Sequence, residues 1–102
     1  TSTGSLKTKE VRASQSSTTS VAKSTSTVTI LAANGARLGA SVFNDSNKTM
    51  YLKLGSGASI TDYTTKVFAD WHYEVPFNYT GILTAVWDSG GGGDARVTEV
   101  TE

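Results

Sequence analysis

From Thr25 onward the chain alternates. Thr27, Thr29 and Leu31 fall on one side of a two-residue period and Val28, Ile30 and Ala32 on the other, the pattern of a strand with unlike faces. Asn34-Gly35 supplies the chemistry of a tight type I′ turn, so residues 38–43 are expected to return as the second arm of a hairpin. Asn44-Asp45-Ser46-Asn47 is rich in turn formers and closes that run. Residues 50–54 form a third strand, with Tyr51 and Lys53 opposite Leu52 and Leu54, and Gly55-Ser56-Gly57 breaks it. Tyr63, Thr65 and Val67 share a face of the next. Trp71, Tyr73 and Val75 share a face of the one after, which Pro76 ends by removing a ladder donor. Residues 82–87 and 96–101 complete the set, separated by Gly90–Gly93.

The pattern predicts about seven short strands bounded by turn signals, an all-β fold in the form of a small antiparallel sandwich or barrel. No stretch carries a 3.6-residue period, residues 69–71 fit a single helical turn at most, and no repeat of solenoid spacing is present.

Composition divides the chain where the alternation begins. Residues 1–27 hold 15 Ser or Thr and no aromatic, with Lys7, Lys9, Arg12 and Lys23 against a lone Glu10. All nine aromatics lie in residues 28–102, and the net charge of zero is a basic first part balanced by an acidic second. The expected organisation is an extended, Ser/Thr-rich basic N-terminal arm, 1–27, on a β domain, 28–102. An arm so poor in aliphatic residues does not offset its own ordering entropy by burial. Its threonines still suit extended pairing with a neighbour. The β domain is near the lower size limit for a self-sufficient core. With no cysteine, neither a disulfide nor a thiolate metal site adds stability, so a homo-oligomer is expected. No run approaches the roughly 20 apolar residues of a membrane helix, and no membrane partner is expected.

The chemistry-bearing residues are dispersed. His72, the single histidine, sits between Trp71 and Tyr73 on an alternating strand and faces away from both. There is no Gly-x-Ser-x-Gly elbow and no thiol nucleophile, so no catalytic residue is assigned. Asp88 and Asp94 flank the glycine run, but two carboxylates fall short of the six to eight oxygens of a calcium site. No metal or cofactor is expected. Gly55–Ser59 lacks the lysine and following helix of a phosphate loop and reads as a hairpin connection. Trp71, Tyr73 and Trp87 are candidates for an oligomer interface or, alternatively, for an aromatic sugar-binding platform. The four cations of the arm have no aromatic among them to stack on bases, so an acidic protein surface is expected in preference to nucleic acid.

Residues 30–100 carry an ordered series of short motifs. Ile30-Leu31-Ala32-Ala33-Asn34 is followed by Arg37-x-Gly39-Ala40-Ser41-Val42-Phe43-Asn44-Asp45-Ser46, then by Tyr51-Leu52-Lys53-Leu54-Gly55 with Ala58-Ser59. Tyr63-Thr64-Thr65-Lys66-Val67, Tyr73-Glu74-Val75-Pro76, Tyr79-Thr80-Gly81, Trp87-Asp88 and Ala95-Arg96-Val97-Thr98-Glu99 complete it. This series resembles a family of small virion accessory proteins of tailed bacteriophages, described as capsid decoration, cement or head-fibre proteins. The chain departs from that pattern at Gly90–Gly93 and at Asp70-Trp71-His72. The resemblance implies a structural protein of the capsid surface, made in the host cytoplasm, with the major capsid protein as partner and a trimeric or dimeric state. The arm lies outside it. On this reading Lys7, Lys9, Arg12 and Lys23 supply charge to a capsid contact, and Leu6, Val11 and Val21 supply small apolar anchors. The alternative is a head-fibre or tail-tip module binding host surface carbohydrate.

Overall fold

The computed structural model describes residues 12–90 and 92–102. Eight strands follow one another: β1 (Gln15–Ala22), β2 (Val28–Leu31), β3 (Arg37–Ser46), β4 (Met50–Leu54), β5 (Thr65–Val67), β6 (His72–Val75), β7 (Leu83–Trp87) and β8 (Gly93–Thr101). Their antiparallel pairing is nested: β1 with β8, β2 with β7, β3 with β6 and β4 with β5. Further ladders between β3 and β8 and between β4 and β7 join these pairs into two four-stranded sheets, β1-β8-β3-β6 and β2-β7-β4-β5. A long antiparallel hairpin rolled up on itself in this way is a jelly roll. The all-β sandwich expected from the alternation is therefore what the chain forms, with each later strand completing a sheet begun by an earlier one.

The core lies between the sheets and follows the two-residue period. Ala40 and Val42 of β3, Val75 of β6 and Ala95 and Val97 of β8 face Ile30 of β2, Met50 and Leu52 of β4, Val67 of β5 and Leu83, Ala85 and Trp87 of β7. Two buried polar side chains at the ends of β3 fasten one sheet to the other. At its start Arg37 donates from Nε to Glu99 Oε2 at 2.7 Å and from Nη1 to the carbonyls of Gly81 at 2.8 Å and Tyr79 at 3.1 Å. Its Nη2 donates to the carbonyl of Ala32, so the strap from β2 and the entry to β7 are both tied to sheet β1-β8-β3-β6. Near its end Asn44 donates from Nδ2 to the carbonyls of Lys48 (2.7 Å) and Val67 (2.8 Å) and accepts at Oδ1 from Ser46 Oγ and from Trp87 Nε1. The indole N–H can only donate, which fixes the orientation of the amide, and every hydrogen-bonding group of Asn44 is used.

Four expectations change. Residues 15–22, read as part of the arm, form β1 in unbroken register with β8. Asn34-Gly35 makes a turn but not a hairpin, since β2 and β3 belong to different sheets. Arg37 N–H donates to the Asn34 carbonyl at 3.0 Å, Asn34 Oδ1 accepts from Ala36 N–H, and neither Asn34 nor Gly35 has the positive φ of a type I′ turn. Asn44, Asp45 and Ser46 are strand residues, the first of them buried, rather than a turn. Gly93, placed in a loose loop by the glycine run, opens β8 opposite Ser46. Its φ is 117°, and a Cβ there would lie 2.5 Å from that of Ser46, so the glycine permits the two strands to meet.

Candidate functional site

The surfaces left for function are the edges of the sheets and their outer faces. β1 forms one edge of its sheet, and its residues from Gln15 to Ser20 are exposed on both faces. The outer face of the same sheet carries Ser16, Thr18 and Ser20 from β1, Arg96, Thr98 and Val100 from β8, Ser41, Phe43 and Asp45 from β3, and His72 and Glu74 from β6. Arg96 crosses β8 to both sides. Its Nε donates to Asp45 Oδ2 at 2.9 Å, and its Nη1 donates to Ser20 Oγ at 2.8 Å and lies 3.3 Å from Asp94 Oδ2. Gly39, which has no side chain, and Ser41 lie in a shallow groove of about 290 Å³ walled by Phe77, Val100 and Glu74. It offers hydroxyls, one carboxylate and apolar walls, a lining suited to contact.

The outer face of the other sheet is covered by its own chain. Residues 55–64 link β4 to β5 and fold across β7, where Thr84 Oγ1 donates to the Gly55 carbonyl at 2.6 Å and accepts from Ala58 N–H at 3.1 Å. Ala58 is buried there, and Thr27 Oγ1 donates to its carbonyl, so Thr84 and Val86 are covered although they point away from the core. Tyr63 meets Tyr51 edge to face, with ring centroids 5.0 Å apart, and Lys53 pairs with Asp62 at 2.7 Å.

The arm residues expected to bind a partner separate into three groups. Leu6, Lys7, Lys9 and Val11 lie outside the described residues. Arg12 is exposed just ahead of β1. Val21 and Lys23 make contacts within the domain. Val21 packs against the core, and Lys23 donates from Nζ to the Gly90 carbonyl at 2.8 Å and from its backbone N–H to Gly93 at 3.0 Å.

The three aromatics expected to act together are dispersed by the fold. Trp87 is 1% exposed and hydrogen-bonded to Asn44, so it belongs neither to a platform nor to an interface. Tyr73 is half-buried against the core from β6. Trp71 is 58% exposed and precedes β6, because Asp70 adopts φ 64° and turns the chain before the strand starts. Its ring meets Phe68 edge to face at 4.9 Å. Phe77, 67% exposed, and Phe68 were not singled out by sequence reasoning, and their turn positions give no periodic signal that would have done so. His72 faces outward, as its alternation with Trp71 and Tyr73 predicts, with Nε2 3.8 Å from Glu74 Oε2.

Among the described residues no three His, Cys, Asp or Glu side chains gather into a metal-binding group. Asp88 and Asp94 are held separately, the first by its backbone to Thr49 and the second beside Arg96. No described helix is long and apolar enough to cross a membrane. Compared with known proteins, the chain matches no family model, no curated protein and no solved structure.

Proposed function

We propose that this chain is a structural virion protein, a capsid decoration or cement protein that binds and stabilises a phage head through its basic N-terminal segment and an oligomeric β domain. The observation that carries the reading is the junction between the two. The basic segment leads directly into β1, and β1 is laid along β8 over its whole length, with Val21 packed against the core and Lys23 bonded to the glycine loop. A pull on the segment is therefore borne in shear by a row of ladder hydrogen bonds rather than by a flexible linker. That suits a strap holding neighbouring subunits against internal pressure, where many weak contacts are multiplied by avidity. The ordered resemblance of residues 30–100 to virion accessory proteins supports the same reading. The jelly roll is compatible with it, being common in capsid domains, but a fold alone does not assign a function. The role is non-enzymatic and needs no cofactor, with the major capsid protein as partner.

The test is deletion of residues 1–11, which leaves β1 intact. The shortened chain should keep its circular dichroism and melting temperature and lose its binding to phage heads. Undiminished occupancy on heads would remove the segment from the mechanism.

A second reading has one observation in its favour. Trp71 is exposed beside Phe68, and an exposed indole is the kind of group on which a sugar ring stacks, so the domain would serve as a recognition module for host carbohydrate. Binding on a glycan array that Trp71→Ala abolishes, with head binding unchanged, would favour it.

A further inference from the structure

Among the described residues, three of the four sheet edges are blunted against strand addition. β2 has 4 residues and a register shift, β5 has 3 residues and β6 has 4. Short and bulged edges are the ordinary defence of β proteins against pairing with other chains. β1 lacks that defence. It runs for 8 residues in unbroken register with β8, and no proline, glycine or charged residue interrupts Gln15–Ala22.

The direction of its backbone groups follows from one hydrogen bond. Lys23 N–H donates to the Gly93 carbonyl at 3.0 Å. Bonded and non-bonded pairs alternate along an antiparallel ladder, so Val21, Thr19, Ser17 and Gln15 also turn their N–H and C=O groups toward β8. Ala22, Ser20, Thr18 and Ser16 turn theirs to the open edge.

We infer that β1 is the edge on which a second copy of this chain pairs, β1 against β1, antiparallel across a two-fold axis through Thr18. Residues whose backbone groups face the open edge must stand opposite one another, which restricts the register. Centred on Thr18, Ser16 stands opposite Ser20 of the second copy and Ser17 opposite its Thr19. These are the hydroxyl cross-strand pairs that stabilise sheets. The flanking cations Arg12 and Lys23 lie outside Gln15–Ala22, so no charged residue stands within the paired strands. The surface is thus self-complementary, as an isologous interface requires. The strand itself carries no charge that would select a charged foreign strand. The inference deepens the oligomeric part of the proposed function, and it stands without the capsid.

A contact through one strand is smaller than a standard interface, so the pairing depends on concentration and is read by sedimentation equilibrium over a dilution series. The full chain should approach twice its own mass at the concentrated end. Thr18→Pro removes an N–H that β8 does not use, so this variant should keep the melting temperature within a few degrees and stay at the mass of one chain. Thr19→Pro removes a donor to β8 and should lower the melting temperature sharply. Thr18→Lys keeps the backbone donor and brings two ammonium groups together at the axis, so it should also weaken self-association. A wild-type chain that stays monomeric throughout overturns the inference, as does undiminished association of both Thr18 variants. If the wild type is monomeric and Thr18→Pro abolishes head binding, the edge serves a foreign strand and the second-copy assignment falls. A dimer that does not bind heads sinks the virion reading and leaves this inference intact.

Discussion

β7 and β1 are both regular antiparallel strands, yet they make opposite use of their side chains. All five residues of β7 are buried, with Leu83, Ala85 and Trp87 in the core and Thr84 and Val86 under the β4–β5 link. In β1 only Val21 reaches the core, and the remaining side chains are exposed. The hydrophobic effect that holds β7 is nearly absent from β1, which is held by backbone hydrogen bonds to β8, with Val21 and Lys23 at its end. Stability therefore concentrates in the middle of the sandwich and availability at its edge. Substitutions of side chains that leave the β1–β8 ladder intact should separate along the same line, with β7 weighing chiefly on folding and the open edge of β1 on association.

The largest effect is expected at the buried end of β7. Trp87→Ala removes the largest core side chain and leaves the amide oxygen of Asn44 without its indole donor. The cost should be roughly 3–5 kcal/mol, a large share of the 5–15 kcal/mol typical of a whole domain. Thermal unfolding should show a fall in melting temperature of more than about 12 °C, at 4–8 °C per kcal/mol for a domain of this size. A fall of a few degrees would mean that the two sheets do not depend on this contact.

Next is the residue that fixes the entry to β7. Arg37→Ala leaves the Glu99 carboxylate, whose side chain is 16% exposed, without its cation, and the carbonyls of Ala32, Tyr79 and Gly81 without a donor. Breaking a buried pair from one side costs about 3–5 kcal/mol because the partner stays buried and unpaired. Replacing both members, Arg37→Met with Glu99→Leu, should recover part of that loss in chemical denaturation, although the carbonyls remain unpaired. A double variant no more stable than Arg37→Ala would place the cost in the carbonyls rather than in the ion pair.

Strands β4 and β1 also mark what was legible in the sequence. Met50–Leu54 could be read to the residue, because Met50, Leu52 and Leu54 face the core while Tyr51 and Lys53 face out. β1 gave no such signal. A strand that buries one residue at its end has no apolar period, so its Ser and Thr read as part of an extended arm outside the β domain. Asn34-Gly35 was legible as a turn but not as a connection, because turn chemistry is local and nested pairing decides which strand lies alongside. Arg37 and Asn44 were opaque for a related reason. Their partners at Glu99, Gly81, Val67 and Trp87 are distant in sequence, and an asparagine saturated inside a sandwich has the same letter as one in a turn. The aromatic trio failed at Asp70, whose left-handed backbone cuts Trp71 off from the alternation that includes Tyr73 and Val75.

The smaller effects lie in β1. Val21→Ala removes the strand's one core contact, itself half-buried, and should cost about 1 kcal/mol, a shift of several degrees. Ser20→Ala removes the hydroxyl that accepts from Arg96, an exposed bond whose loss should change stability by less than about 0.5 kcal/mol. Arg96 keeps Asp45 and Asp94 as partners, which is why the expected loss is so small. Ser20→Ala also keeps the backbone N–H and C=O groups that face the open edge, so sedimentation should change less than with Thr18→Pro. A marked loss of melting temperature in Ser20→Ala would mean that the outer face of β1 supports the fold. The division between a strand that builds the domain and a strand that presents it would then no longer hold.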